Sequence, residues 1–161
     1  MTELFELTTS ECESLLRAGI VGRVAVSTPD GPLIIPLNYS VSDDAIMVRT
    51  TPDSLLGTHA QDAVFAFEVD HFDYPNGRGW SVLARGRCEL INDWDELERT
   101  EEVSAPRPWA DGPRPVVLRL AWDELSGRRL GRGWDPLKQM PVRRMSPIPP
   151  PGPDRWPSAM A

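Results

Sequence analysis

The apolar positions along the chain change period several times, and each change marks an element. Ser10-Glu11-Cys12-Glu13 has the Ser-x-x-Glu form of a capping box, and Leu15, Leu16 and Ala18 then give a short apolar helical face that stops at Gly19. From Ile20 the pattern becomes β-branched, through Val21, Val24, Ala25 and Val26, and it ends on the turn formers Thr28-Pro29-Asp30-Gly31. A return strand over residues 33–41, a turn at Ser42-Asp43-Asp44 and a third strand over 45–50 complete a predicted antiparallel meander. Pro52-Asp53-Ser54 starts a predicted second helix that runs to Ala60, with Gly57 as a weak point inside it.

The second half of the chain continues in strands. Residues 63–69 alternate Phe65, Phe67 and Val69 with Val64, Ala66 and Glu68, as a barrel strand does, and a loop is expected around Asp73-Tyr74-Pro75-Asn76-Gly77. A long strand over 80–91 follows, with Gly86 as the expected bulge. Asp93 then caps a predicted acidic helix over 94–103, residues 105–115 are too rich in proline for regular structure, and 116–122 form the last expected strand. The pattern predicts a mainly β fold, a closed antiparallel barrel with a few short helices.

With 161 residues the chain suits one domain and a tail, divided here into a body over 1–132 and a Pro-rich tail over 133–161. Pro147, Pro149, Pro150, Pro151, Pro153 and Pro157 favour extended polyproline geometry there. A formal charge of −7 and a pI near 4.8 argue against nucleic acid or anionic lipid as partners, which leaves small molecules and other proteins. Arg128, Arg129, Arg132, Lys138, Arg143 and Arg144 form one locally basic stretch, read as a solvated linker or an anion-binding patch. The chain has no apolar run of membrane-spanning length, and residues 1–7 lack the order of a secretion signal, so a cytoplasmic protein is expected. Cys12 and Cys88 stand outside any metal-ligand spacing and read as reduced, half-buried thiols.

Familiar catalytic signatures are missing: no Gly-x-Ser-x-Gly elbow, no phosphate loop ending in Gly-Lys-Ser/Thr and no His-Glu-x-x-His. His59 and His71 are too few for a metal site without several carboxylates. Asp70-His71-Phe72-Asp73 places carboxylates beside a histidine, but neighbouring side chains on a strand diverge, so no metal is expected.

Three segments carry a family resemblance. Pro36-Leu37-Asn38-Tyr39, then Ile46-Met47-Val48-Arg49-Thr50 and Pro52-Asp53-Ser54, resemble the second and third strands of the FMN-binding split barrels related to pyridoxamine 5′-phosphate oxidase. Phe67-Glu68-Val69-Asp70-His71-Phe72-Asp73 and Gly79-Trp80-Ser81-Val82-Leu83-Ala84-Arg85-Gly86-Arg87 are similar to a pattern in actinobacterial members. The resemblance spans about residues 7–130. It implies an FMN-binding split barrel, a homodimer with the cofactor at the interface, and flavin-dependent oxidoreduction of a small molecule.

The residues themselves suit such a cofactor, which needs a cradle for a phosphate dianion and a polar, edge-reading surface for its ring. Arg49, Thr50 and Ser54 supply a donor fork and two hydroxyls for the phosphate, or else form an ordinary strand end. Pro36, Leu37 and Asn38, with Tyr39 beside them, line the ring, or Asn38 is a turn or bulge residue. Trp80 and Ser81 close the ring site, or Trp80 is a core anchor. Many relatives carry a Lys soon after the Arg/Thr pair where this chain has Leu55 and Leu56, and Arg85 and Arg87 on one strand face are the candidates to replace it. Alternative readings are a deazaflavin-dependent reductase, or a non-catalytic module that stores a flavin or binds haem through His59 or His71.

Overall fold

The computed structural model describes residues 3–59, 61, 63–92 and 106–140. Seven strands form one antiparallel sheet: β1 (Leu4–Glu6), β2 (Val21–Thr28), β3 (Gly31–Ser42), β4 (Ala45–Thr50), β5 (Val64–Asp73), β6 (Arg78–Leu90) and β7 (Val116–Leu130). Their order is β1-β7-β4-β3-β2-β5-β6, and a further β6–β7 pairing closes the sheet into a barrel. Among the described residues three short helices accompany it, α1 (Thr9–Ala18), α2 (Leu55–His59) and α3 (Pro136–Gln139). Among the described residues no helix is long and apolar enough to cross a membrane.

The core fills the barrel because alternate strand residues point inward. Val24 and Val26 of β2, Tyr39 of β3, Ile46 and Val48 of β4, Phe65, Phe67 and Val69 of β5, Val82 and Ala84 of β6 and Leu118 and Leu120 of β7 are all buried in one cluster. Helix α1 adds Cys12, Leu15 and Leu16 to that cluster. Tyr39 meets Phe67 edge to face, with ring centroids 4.9 Å apart, and donates its hydroxyl proton to Leu16 O at 2.5 Å. A Cβ on Gly19 would collide with that Tyr39 hydroxyl, so the helix stop is a residue the core requires to be small.

Several boundaries differ from the sequence reading. The capping box sits two residues earlier: Thr8 is the N-cap, and its backbone N–H and hydroxyl both bond Glu11, which leaves Ser10 inside the helix. Thr8 and Ser10 each precede a glutamate by three, and the helix starts from Thr8, two residues earlier. The second helix is only five residues long, and β5 continues past Val69 to Asp73 because Phe72-Gly79 and Asp73-Arg78 pairs extend its hairpin with β6. Strand β7 continues past Trp122 to Leu130, since β1 pairs with its far end, Leu4 opposite Leu130 and Glu6 opposite Arg128. Arg128 and Arg129 are therefore strand residues and not linker. Packing also continues past residue 132: Trp134 is in the core, and Leu137 and Met140 lie against it.

The expected irregularity at Gly86 is present, with a register shift between Arg85 and Gly86. The Ala121 carbonyl lies where a Gly86 Cβ would stand, so only glycine allows the two strands to close there. Cys12 and Cys88 are free and fully buried, more deeply than half-buried, and burial pushes the Cys88 thiol up to about 12. The expected helix over 94–103 and the proline run from Pro147 to Pro157 lie outside the described residues.

Candidate functional site

The meander of β2, β3 and β4 sorts its side chains onto two faces. Ile35, Leu37, Tyr39 and Val41 of β3 pack on the barrel core, so Pro36, Asn38 and Ser40 alternate to the outside. On β4, Ile46 and Val48 point in while Met47 joins Ala45, Ile91 and Val117 in a second cluster outside the barrel. Ser40 opposes Met47, and Met47 opposes Arg119 of β7. One outward position further along β4, Arg49 faces Val117 of β7, and on β3 Asn38 is the outward residue next before Ser40. The outer face thus carries the row Ser40-Met47-Arg119, with Asn38 and the Arg49-Val117 pair one outward position further along their strands.

Polar groups on this face are under-satisfied. Asn38 Oδ1 accepts the backbone N–H of Trp109 at 2.9 Å, whereas Asn38 Nδ2 is buried with no acceptor. Ser40 is 1% exposed, and its Oγ also has no partner. An orphaned buried polar group costs about 1–3 kcal/mol, so two on one strand face call for an explanation. Arg114 Nε, just before β7, is a third buried donor without an acceptor.

The neighbouring corner between β4 and α2 is the opposite case. Ser54 Oγ donates to Thr51 O at 2.8 Å, accepts from Gly57 N at 2.9 Å and lies 2.6 Å from Thr50 Oγ1. Ser54 has one proton and gives it to Thr51, so Thr50 must donate to Ser54. Neither hydroxyl keeps a proton for an incoming anion in this arrangement. Thr50 and Ser54 shape the chain immediately after Arg49, and Arg49 is a cation on the outer face.

The remaining sequence candidates are dispersed. Leu37 and Tyr39 face the barrel interior, behind the wall that Pro36 and Asn38 form outside. Trp80 is buried in the core, in register with His71 and Arg129, and its Nε1 has no acceptor. Ser81 turns outward on β6 opposite Asp70, but β2 and β5 separate β6 from β3, so Ser81 lies three strands around the barrel from Asn38. Arg85 and Arg87 share the exposed face of β6, and Arg85 pairs with Glu124 at 3.0 Å. Structure therefore places Pro36, Asn38 and Arg49 on one outer face of neighbouring strands, with Thr50 and Ser54 following Arg49 in the chain.

The two histidines stay apart. His59 Nδ1 lies 2.8 Å from Thr58 Oγ1 and 3.1 Å from Leu55 O, and His71 is on β5. Asp70 accepts from Arg23 Nη1 at 2.8 Å, and that hydrogen bond holds the Arg23 guanidinium above its ordinary pKa. Asp73 accepts from Asn76 and Arg78, which lowers its carboxyl pKa. Among the described residues no group of three or more His, Cys, Asp and Glu side chains could hold a metal ion.

Comparison with known proteins gives this geometry a context. A family model described as pyridoxamine 5′-phosphate oxidase matches residues 8–129. The chain belongs to this family. Its closed antiparallel sheet is the split barrel of flavin-binding members, as the sequence resemblance implied. An uncharacterized protein of Mycobacterium tuberculosis is 26% identical over 133 residues, covering 80% of this chain and 86% of its own. The structure of the FAD binding protein from Mycobacterium smegmatis is 25% identical with a TM-score of 0.65, over 77% of this chain and 96% of that one. An FAD-binding protein from Mesorhizobium loti, 23% identical, has the same fold with a TM-score of 0.64, over 81% of this chain and 99% of that one. Within this family frame, Ser40 and the Trp109 backbone are the site residues that sequence reasoning missed. Ser40 was legible as the next outward residue after Pro36 and Asn38, but nothing local announces that residue 109 reaches Asn38.

Proposed function

We propose that the chain binds a flavin nucleotide, FMN or the FMN moiety of FAD, on the outer face of β3 and β4, and that it serves as a flavin-dependent oxidoreductase acting on a small molecule. The observation that carries this reading is the buried Asn38 Nδ2, a donor without an acceptor, on the same outer face of the β3–β4 pair as Arg49. A flavin offers matching chemistry: its ring edge is rich in acceptors and its phosphate is a dianion. Two relatives of the same fold are named as FAD-binding, which supports the cofactor class.

In this reading Arg49 holds the phosphate through its planar donor fork, and the Thr50-Ser54 corner fixes the chain beside it. Asn38 donates from Nδ2 to the ring edge, and Pro36 adds apolar surface on the same face. Leu37, Tyr39 and Trp80 support the wall from within the barrel. When bound, a flavin supplies electron and hydride transfer, and the protein contributes binding, orientation and the exclusion of competing reactions. A homodimer extends the reading: Ile34, 70% exposed on the outer face beyond Pro36, and Trp109, 69% exposed, are apolar surface that a second copy would cover. Ser81 would then reach a site only from the second copy.

Titration of FMN and FAD into cofactor-free protein, followed by absorbance and fluorescence, tests the binding. Saturable binding of either flavin supports the reading, and a protein that binds neither, or that purifies with a deazaflavin or haem spectrum, overturns it. Light scattering that finds only an 18.0 kDa species would remove the dimer.

A further inference from the structure

We infer that residues 106–115 act as a positioning strap, in which the backbone N–H of Trp109 fixes the orientation of the Asn38 amide so that Nδ2 meets the acceptor edge of the flavin. The inference rests on the flavin reading above and deepens it. A carboxamide is nearly symmetric in shape, and a half-turn exchanges its donor and acceptor ends. A backbone N–H can bond only to the oxygen. The 2.9 Å contact from Trp109 N to Asn38 Oδ1, made across 71 positions of chain, therefore selects one of the two orientations.

Local structure supports a strap that holds its position. Pro106 is fully buried, Pro108, Pro113 and Pro115 restrict the backbone, and Gly112 turns the chain at φ 93°. The Trp109 side chain is 69% exposed, so the indole does not anchor the segment to Asn38; the N–H does. With Oδ1 taken by the strap, the amide nitrogen is left buried without an acceptor. A strap that served the apo fold alone would gain more from an Asn38 whose two ends were both satisfied. An orphan donor of fixed direction is a feature of a site whose acceptor comes with the ligand.

Two substitutions separate this role from a structural one. Trp109→Ala removes the indole and keeps the N–H, whereas Trp109→Pro removes both, after a proline that is already extended. FMN titration should find Trp109→Pro about two- to tenfold weaker than Trp109→Ala, the range expected for one hydrogen bond. Asn38→Asp keeps an oxygen for the strap and turns a second oxygen toward the flavin edge. It should weaken FMN at least about tenfold and shift the absorption band of what remains bound, while the melting curve of the cofactor-free protein shows that the fold persists. Equal affinity of the two Trp109 variants, or full affinity in Asn38→Asp, would overturn the strap; the second result would mean that an oxygen at position 38 faces the ring. Failure of the wild type itself to bind FMN or FAD would instead overturn the flavin reading, and the strap with it.

Discussion

Tyr39 and Ser40 are neighbours on β3, equally buried at 1% exposure, and they face opposite environments. Inward, the Tyr39 hydroxyl has the Leu16 carbonyl and its ring has Phe67, so each polar and apolar group is matched. Outward, Ser40 Oγ and Asn38 Nδ2 are enclosed and unmatched. On β3 the inward polar group is matched as folded, and two outward ones are not. Burial alone does not separate core from site on this strand, because polar satisfaction does.

The largest expected effect belongs to the inner face. Phe67→Ala removes a ring that touches Tyr39 and would occupy the space a Gly22 Cβ would otherwise take, and it should cost about 3–5 kcal/mol in denaturant unfolding. A cost under about 1 kcal/mol would mean that the inner face is loosely packed. On the outer face, Arg49→Ala should weaken FMN by about ten- to a hundredfold, since a hydrogen bond to a charged group contributes about 1.5–3 kcal/mol. Its cofactor-free melting curve should change little, and Arg49→Lys should recover part of the affinity without the planar fork. A collapse of the Arg49→Ala fold would move that residue to the structural side of the comparison.

Tyr39→Phe is a smaller test of the inner face. It orphans the Leu16 carbonyl and should cost about 1–2 kcal/mol of stability with flavin affinity unchanged. The smallest effect lies away from both faces, at the α1 cap. The Thr8 backbone N–H and hydroxyl lower the Glu11 carboxyl pKa below its ordinary value. A depressed carboxyl stabilises the fold above its unfolded pKa, and that contribution fades as pH falls through the lower folded value. Glu11→Gln should therefore narrow the stability difference between neutral and mildly acidic solution, as measured by melting temperature, and leave flavin binding intact.

Alternation made most of the barrel legible. Phe65, Phe67 and Val69 shared one face of a barrel strand from their spacing alone, and the structure shows that this face is the interior; Gly86 marked the bulge because a strand glycine signals a close backbone approach. The same rule, applied to Pro36-Leu37-Asn38-Tyr39, divides that segment between the two faces, although the family resemblance presents it as one ligand surface. Short or long-range features were less legible. Strand β1 has three residues and no period to detect, and the far end of β7 reads as basic linker until β1 is placed beside it. The hydroxyls of Thr50 and Ser54 look like anion donors in sequence, and only their mutual geometry shows that both protons are already committed. The Trp109-Asn38 contact joins residues that no local pattern connects.

The most direct test of the outer face as a ligand site is FMN titration of Asn38→Leu beside the wild type. Leucine fills similar space, removes the orphaned Nδ2 together with the acceptor of the Trp109 N–H, and leaves Tyr39 and the inner face untouched. The account predicts a loss of affinity of about tenfold or more, with little change in the stability of the cofactor-free protein. Wild-type affinity in Asn38→Leu would contradict it, because the unmatched donor on β3 would then have no part in holding the flavin.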